Sequence, residues 1–214
     1  MATSIFGPIS GVILRAIGSA IVLCAAAASV PGHGQYQSEG YKFLEAVSDR
    51  DGNIATAFLS EPGSVVVNTR DVTTGETALH IVARRRDVVW INFLAQNGAN
   101  PNIRARNGET PLQIAAVVGP VESVEALIRA GANIDDSNVA GETPLIGAVH
   151  RRDVPLVRLL LDKGANPDRN DNSGRSARDY VALQSANTLL QAELAKADET
   201  KAGRAETKAY GPTF

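Results

Sequence analysis

Cysteine is almost missing: the single one, Cys24, lies inside an apolar N-terminal stretch. Once that stretch is removed no thiol remains, which excludes a disulfide framework, a cysteine zinc site and a thiol nucleophile. Aromatic residues are scarce at 5%, while alanine and glycine are plentiful, a balance that suits closely packed small helices better than a sandwich or barrel. Neither sign of charge is in excess. At a net charge of -2, nothing global draws the chain to nucleic acid or an anionic membrane surface. There is no glycine-rich loop to cradle phosphate, no zinc-ligand spacing and no Gly-x-Ser-x-Gly elbow. A long apolar run is also lacking. Residues 16–30 are apolar but short of the roughly 20 residues that a transmembrane helix needs.

Arg15 precedes that run, and Pro31-Gly32-His33-Gly34 follows it. A positive residue, a short apolar core and then small residues is the layout of a secretory signal peptide. Residues 1–34 are therefore expected to be a signal, cut before Gln35 or after Ala28, which places the mature chain in the periplasm or outside the cell. An uncleaved membrane anchor is the alternative. Leu23 stands before Cys24 where a lipoprotein signal has a small residue, which argues against lipidation.

What the chain has is a phrase repeated. Gly75-Glu76-Thr77-Ala78-Leu79 returns as Gly108-Glu109-Thr110-Pro111-Leu112 and as Gly141-Glu142-Thr143-Pro144-Leu145, each 33 residues after the last, and a worn copy follows at Gly174-Arg175-Ser176-Ala177-Arg178. Gly98-Ala99-Asn100, Gly131-Ala132-Asn133 and Gly164-Ala165-Asn166 keep the same beat. A fixed period of this length is the signature of a repeat array. Within residues 108–140, Thr110 can cap a helix and Pro111 suits its first position. Leu112, Ala115 and Ala116 share one face. Gly119-Pro120 breaks that helix, and Val121, Val124, Leu127 and Ile128 form the stripe of a second. Gly131 ends it, and a polar turn leads to the next copy. One helix pair cannot bury both faces, so the pairs must stack.

The ends differ from the middle. Residues 41–47 and 54–59 read as a degenerate first pair, closed by Glu61-Pro62-Gly63 with a left-handed glycine. Residues 176–183 and 188–197 read as a last pair, with Ala177, Tyr180, Val181, Leu189, Leu190 and Leu194 inward and Gln191, Glu193 and Lys196 outward. From Asp198 to 214 the polar chain without apolar periodicity is expected to be a disordered tail.

These units resemble ankyrin repeats, in the Gly, the Thr-Pro-Leu-His position, the paired small residues and the Gly-Ala-Asn. The resemblance implies an all-α solenoid over residues 41–197, with repeats at about 41–74, 75–107, 108–140, 141–173 and 174–197 and hairpin-like fingers projecting from helix pairs. It implies a protein-binding module without catalysis or cofactor, whose partner sits on the concave face of fingers and first helices. Only His80 keeps the motif histidine, for which the resemblance implies a structural hydrogen-bonding role; Gln113, Ile146 and Asp179 replace it. The glycine of the helix–helix turn is Gly119 in one copy and Arg86 or Arg152 in others.

Two features remain as candidate sites. Arg84-Arg85-Arg86 and His150-Arg151-Arg152 end first helices at the same register two repeats apart, and Arg104 and Arg106 add charge in a finger. Together they form a basic groove for an acidic protein partner, or else solvated helix ends that complement the dipole. On the first reading, Arg85→Glu with Arg151→Glu is expected to leave stability nearly unchanged while abolishing capture. The chain is expected to be a monomer. Asp168-Arg169-Asn170-Asp171-Asn172 has oxygens at alternate positions like the start of a calcium loop. However, its glycine comes one place late, no glutamate stands at the twelfth position, and an ordinary turn fits as well. His150 lacks a nucleophile nearby, and Trp90 reads as packing or surface.

Overall fold

Each Gly-Glu-Thr opens a helix for a local reason, visible in a computed structural model that describes residues 38–61, 65–183 and 188–209. Thr110 and Thr143 hold extended backbone, and their hydroxyls accept the N–H of Gln113 at 3.3 Å and of Ile146 at 3.2 Å. Pro111 and Pro144 take the first helical position, where a missing N–H costs nothing. Such a cap stabilises its helix by about 1 kcal/mol. The helices are α1 (Glu39–Asp49), α2 (Gly52–Ser60), α3 (Ala78–Arg84), α4 (Val88–Gln96), α5 (Pro111–Val118), α6 (Val121–Arg129), α7 (Pro144–His150), α8 (Val154–Asp162), α9 (Ala177–Leu183) and α10 (Thr188–Ala209).

The first helices α1, α3, α5, α7 and α9 lie side by side in one row, and α4, α6, α8 and α10 in a second. This is an all-α repeat solenoid. The period shows in the core. Leu79, Leu112 and Leu145 are buried in the first row, and Ile91, Val124 and Val157 with Leu94, Leu127 and Leu160 in the second. Each such side chain contributes roughly 1.5–3 kcal/mol by leaving water. At the next step the leucine position is Arg178, which instead reaches Asp168 at 2.8 Å and Asp198 at 2.9 Å, closing the array with charge.

The fingers are hairpins closed by a backbone bond, such as Ala105 N–H to Glu109 O at 2.8 Å and Asn138 N–H to Glu142 O at 3.0 Å. Side chains join finger to finger at a constant register. Asn68 donates to Gly98 O and accepts from Asn100 N–H, and Asn102 does the same with Gly131 O and Asn133 N–H. Asp135 accepts from Asn166 N–H one step later. At Gly141 the backbone is left-handed (φ 80°) and an added Cβ would stand 2.6 Å from Asn172 N, so only glycine fits there.

The turn between first and second helix has two solutions. Arg50, Arg86 and Arg152 take left-handed backbone at φ 62°, 61° and 56°. Their N–H groups return to the preceding helix, and Asp51, Asp87 and Asp153 then cap the next one. Left-handed backbone costs a non-glycine residue about 1–2 kcal/mol. Gly119, the one glycine of this set, is not left-handed but extended (φ -86°, ψ 163°), because Pro120 excludes helical backbone from the residue before it.

Three expectations change at the ends. Residues 198–209, expected as a disordered tail, continue α10 to Ala209. Their Ala, Glu, Lys and Arg content favours helix without an apolar stripe, and Arg178 holds Asp198 from the body of the array. Leu189, expected inward, is 64% exposed, whereas Leu190 and Leu194 are buried. Glu193, expected outward, pairs with Arg158 of α8 at 2.5 Å. Glu61 is extended before Pro62. The left-handed cap expected at Gly63, the expected signal at residues 1–34 and residues 210–214 lie outside the described residues.

Candidate partner-binding face

The motif position three residues into each first helix is a joint. His80 is fully buried; its Nδ1 accepts Thr77 N–H at 3.0 Å, so the proton lies on Nε2, which donates to Glu109 O of the next repeat at 3.1 Å. Burial pushes the His80 pKa below its ordinary value. Gln113 performs both tasks without a titrating group: Oε1 accepts Thr110 N–H at 2.9 Å and Nε2 donates to Asp136 O at 3.0 Å. Asp179 keeps the local half, accepting Ser176 N–H at 2.8 Å. Ile146 keeps neither and is simply buried.

The arginines expected in one basic groove divide into three kinds. Arg85 and Arg151 tie repeats together. Arg85 Nη1 donates to Val47 O at 2.7 Å and Ser48 O at 2.9 Å, its guanidinium lies 5.7 Å from the Trp90 ring centroid, and Nη2 is 3.4 Å from Asp87. Arg151 Nη2 donates to Ala116 O. Both reach the last turn of the preceding first helix, where carbonyls lack helical partners and the dipole is negative. Each substitution of Arg85→Glu with Arg151→Glu removes a helix clamp, so a loss of stability is expected in place of the mildness anticipated from the sequence. Fingers are tied the same way. Arg70 donates to Gly75 O and Arg104 O, and Arg104 to Gly108 O and Ser137 O, with Asp136 at 3.0 Å. Arg106 donates to Val72 O at 2.6 Å.

The second kind lies against a carboxylate at the face itself. Arg84 lies on Glu76 in a two-bond fork, at 2.9 and 2.5 Å, and this contact holds the Glu76 carboxyl below its usual pKa. His150 Nδ1 is 3.3 Å from Glu142, and its ring stands edge-on to Tyr180 at 4.3 Å between centroids. The third kind is open. Arg86 and Arg152 are exposed, and among the described residues neither has an ion pair or side-chain hydrogen bond.

The row between finger bases and first-helix ends therefore reads Glu76 with Arg84, Glu109 with Val117, Glu142 with His150. Glu109 accepts from Asn107 Nδ2 at 2.6 Å, but no cation among the described residues pairs with it. Val117, where Arg84 and His150 have their counterparts, is 61% exposed. The sequence reading missed this pair, although the eight-residue offset from each glutamate was there to compare. Beside it Gly147 stands inside α7, where glycine costs roughly 0.5–1 kcal/mol against alanine. It lines a hollow of about 80 Å³ between α5 and α7. That is too small for a drug-sized ligand, which takes roughly 300–1,000 Å³.

The turn expected to resemble a calcium loop uses its oxygens internally. Asp171 accepts from Ser173 Oγ and N–H, Arg175 N–H and Tyr180 OH, and its pKa is driven far down, first by Ser173 and then by Tyr180. Asp168 faces Arg178, and Asn172 donates to Val139 O. Among the described residues, no three His, Cys, Asp or Glu side chains gather where a metal ion could sit, and no helix is long and apolar enough to cross a membrane.

Comparison with known families agrees with the geometry. Residues 43–138 match the model for ankyrin repeats in three copies, and residues 140–172 match the model for a single ankyrin repeat, together more than half of the chain. A search of the curated proteins finds no match.

Proposed function

The chain belongs to the ankyrin-repeat family, and on that premise we propose that it is an exported, non-catalytic binding protein. It holds a protein partner on the face made by its first helices and finger bases, and acts in the periplasm or outside the cell. Ankyrin repeats are generally protein–protein interaction modules. One observation carries the reading here. Arg85, Arg151, Arg70 and Arg104 are tied into the stack, while the residues that differ at a shared register, Arg84, Val117 and His150, stand along one row. A rigid scaffold with a variable row is what selective display requires.

Of the arginines first considered, Arg86 and Arg152 are the ones left for acidic groups of a partner. Crosslinking and capture from the native envelope tests this. Arg86→Glu with Arg152→Glu is expected to weaken capture without changing thermal stability, and unchanged capture removes the acidic-contact reading. Export is tested by mass spectrometry of protein from its native host. A mature form beginning at Gln35, or just after Ala28, supports it; recovery of the intact Met1 form alone contradicts it.

A further inference from the structure

We propose that the notch beside Glu109 takes an arginine side chain of the partner, the guanidinium on the Glu109 carboxylate and the aliphatic stem across Val117. The proposal rests on the binding reading above and deepens it. The chain itself shows the arrangement one repeat earlier. There Arg84 supplies a guanidinium to Glu76 in a two-bond fork, at 2.9 and 2.5 Å, from the position eight residues on. One repeat later His150 occupies that position against Glu142. Of the three repeats that carry the glutamate, the one between them offers an apolar residue there, and Glu109 makes no salt bridge among the described residues, Arg84 of the preceding repeat acting on it only at longer range. A planar guanidinium matches a carboxylate with two parallel hydrogen bonds, which a lysine ammonium cannot do.

The surroundings suit the same occupant. The hollow is bounded by Glu109, Gln113, Val117, Glu142, Gly147 and Arg151. Arg151 brings positive charge to the inner wall: its Nη2 donates to Ala116 O, and its Nη1 lies 3.4 Å from where a Cβ on Gly147 would stand. Glu109 and Glu142 both line this opening of about 80 Å³, room for the end of one side chain, and Glu142 is already held by His150 and Asn138. Val117 at the rim gives methyl groups for an arginine stem, whose apolar length packs while its head stays polar. A cationic group from outside is the charge complement of this spot.

The test selects random heptapeptides displayed on phage against the full chain and measures synthetic representatives by calorimetry. Hydrogen exchange of the complex locates them. The expected result is arginine-containing peptides that protect α5 and α7 amides. Their affinity should fall about tenfold or more on Glu109→Gln. Val117→Arg, which gives Glu109 a cation from the chain itself, should do the same, and replacing the peptide arginine with lysine should recover only part of the binding. Peptides that protect this face but lack arginine, or that bind both variants as well as the original chain, overturn the arginine assignment and leave the binding reading standing. If no selected peptide protects the face, both fall.

Discussion

The repeats on either side of residues 108–140 end their first helices in Arg-Arg-Arg and His-Arg-Arg, and the middle one ends in Val-Val-Gly before proline. The flanks close the turn with a left-handed arginine and clamp the preceding helix with the arginine before it. The middle closes with an extended glycine and has no clamp at Val118. The same stacking joint is thus made in two chemically different ways. The lesson is that a charged residue in this fold is as much a part of the scaffold as a leucine when its head group reaches a carbonyl of the neighbouring repeat, as in Arg85 and Arg151. Where recurrence stops, at Val117, the surface beside Glu109 is left open.

The largest expected effect sharpens the contrast between His80 and Gln113. His80→Ala removes the partner of two backbone groups in a buried site and should cost about 3 kcal/mol in urea unfolding. His80→Gln, which copies the solution of the next repeat, should restore nearly all of it. The same variant should alter the pH dependence. Because the folded pKa of His80 is lowered, the unfolded chain binds its proton first. His80 therefore costs no stability above roughly pH 6.5, and stability falls as pH drops below that value towards the folded pKa, by at most about 1.4 kcal/mol per pH unit. His80→Gln should flatten that slope, while the carboxylates lowered by their partners act only at more acidic pH. An unchanged slope between about pH 6.5 and 5 in His80→Gln assigns the dependence to another group.

Gly119→Ala comes next. An added Cβ would stand 2.7 Å from the Ala115 carbonyl oxygen, so a loss of about 1–3 kcal/mol is expected. Arg86→Gly is the smallest effect and has the opposite sign. Relief of left-handed strain exceeds the extra chain entropy of glycine, for a gain of roughly 0.5–1 kcal/mol. If Gly119→Ala proves neutral, the two turns are not distinct solutions.

The fold was largely legible because period, caps and breakers are local. Thr110, Pro111 and Gly131 announce a helix start, a first turn and a stop without tertiary help. Membership of residues 198–209 in α10 was not, since helix without an apolar stripe looks like tail. The face was half legible. Arg84, Arg85 and Arg86 could be placed at a helix end, but sequence alone does not say that Arg85 turns to Val47 O while Arg84 turns to Glu76. One signal was available. Arg85 with Arg151, and Arg70 with Arg104, recur at shared register as the leucines do and are joints, but Arg86 with Arg152 recurs equally and is open, so register alone does not sort the arginines. The break at Val117 was legible by the same comparison.

The central claim is that arginines whose guanidinium reaches a carbonyl of the neighbouring repeat hold the stack, and that the equally recurrent Arg86 and Arg152, which reach none among the described residues, do not. Urea unfolding of two double variants tests it most directly. Arg85→Ala with Arg151→Ala should lose about 2–4 kcal/mol through the bonds removed from Val47 O, Ser48 O and Ala116 O at the helix ends. Arg86→Ala with Arg152→Ala should stay within about 0.5 kcal/mol of the parent chain. Equal losses in the two pairs, or no loss in the first, would contradict the claim.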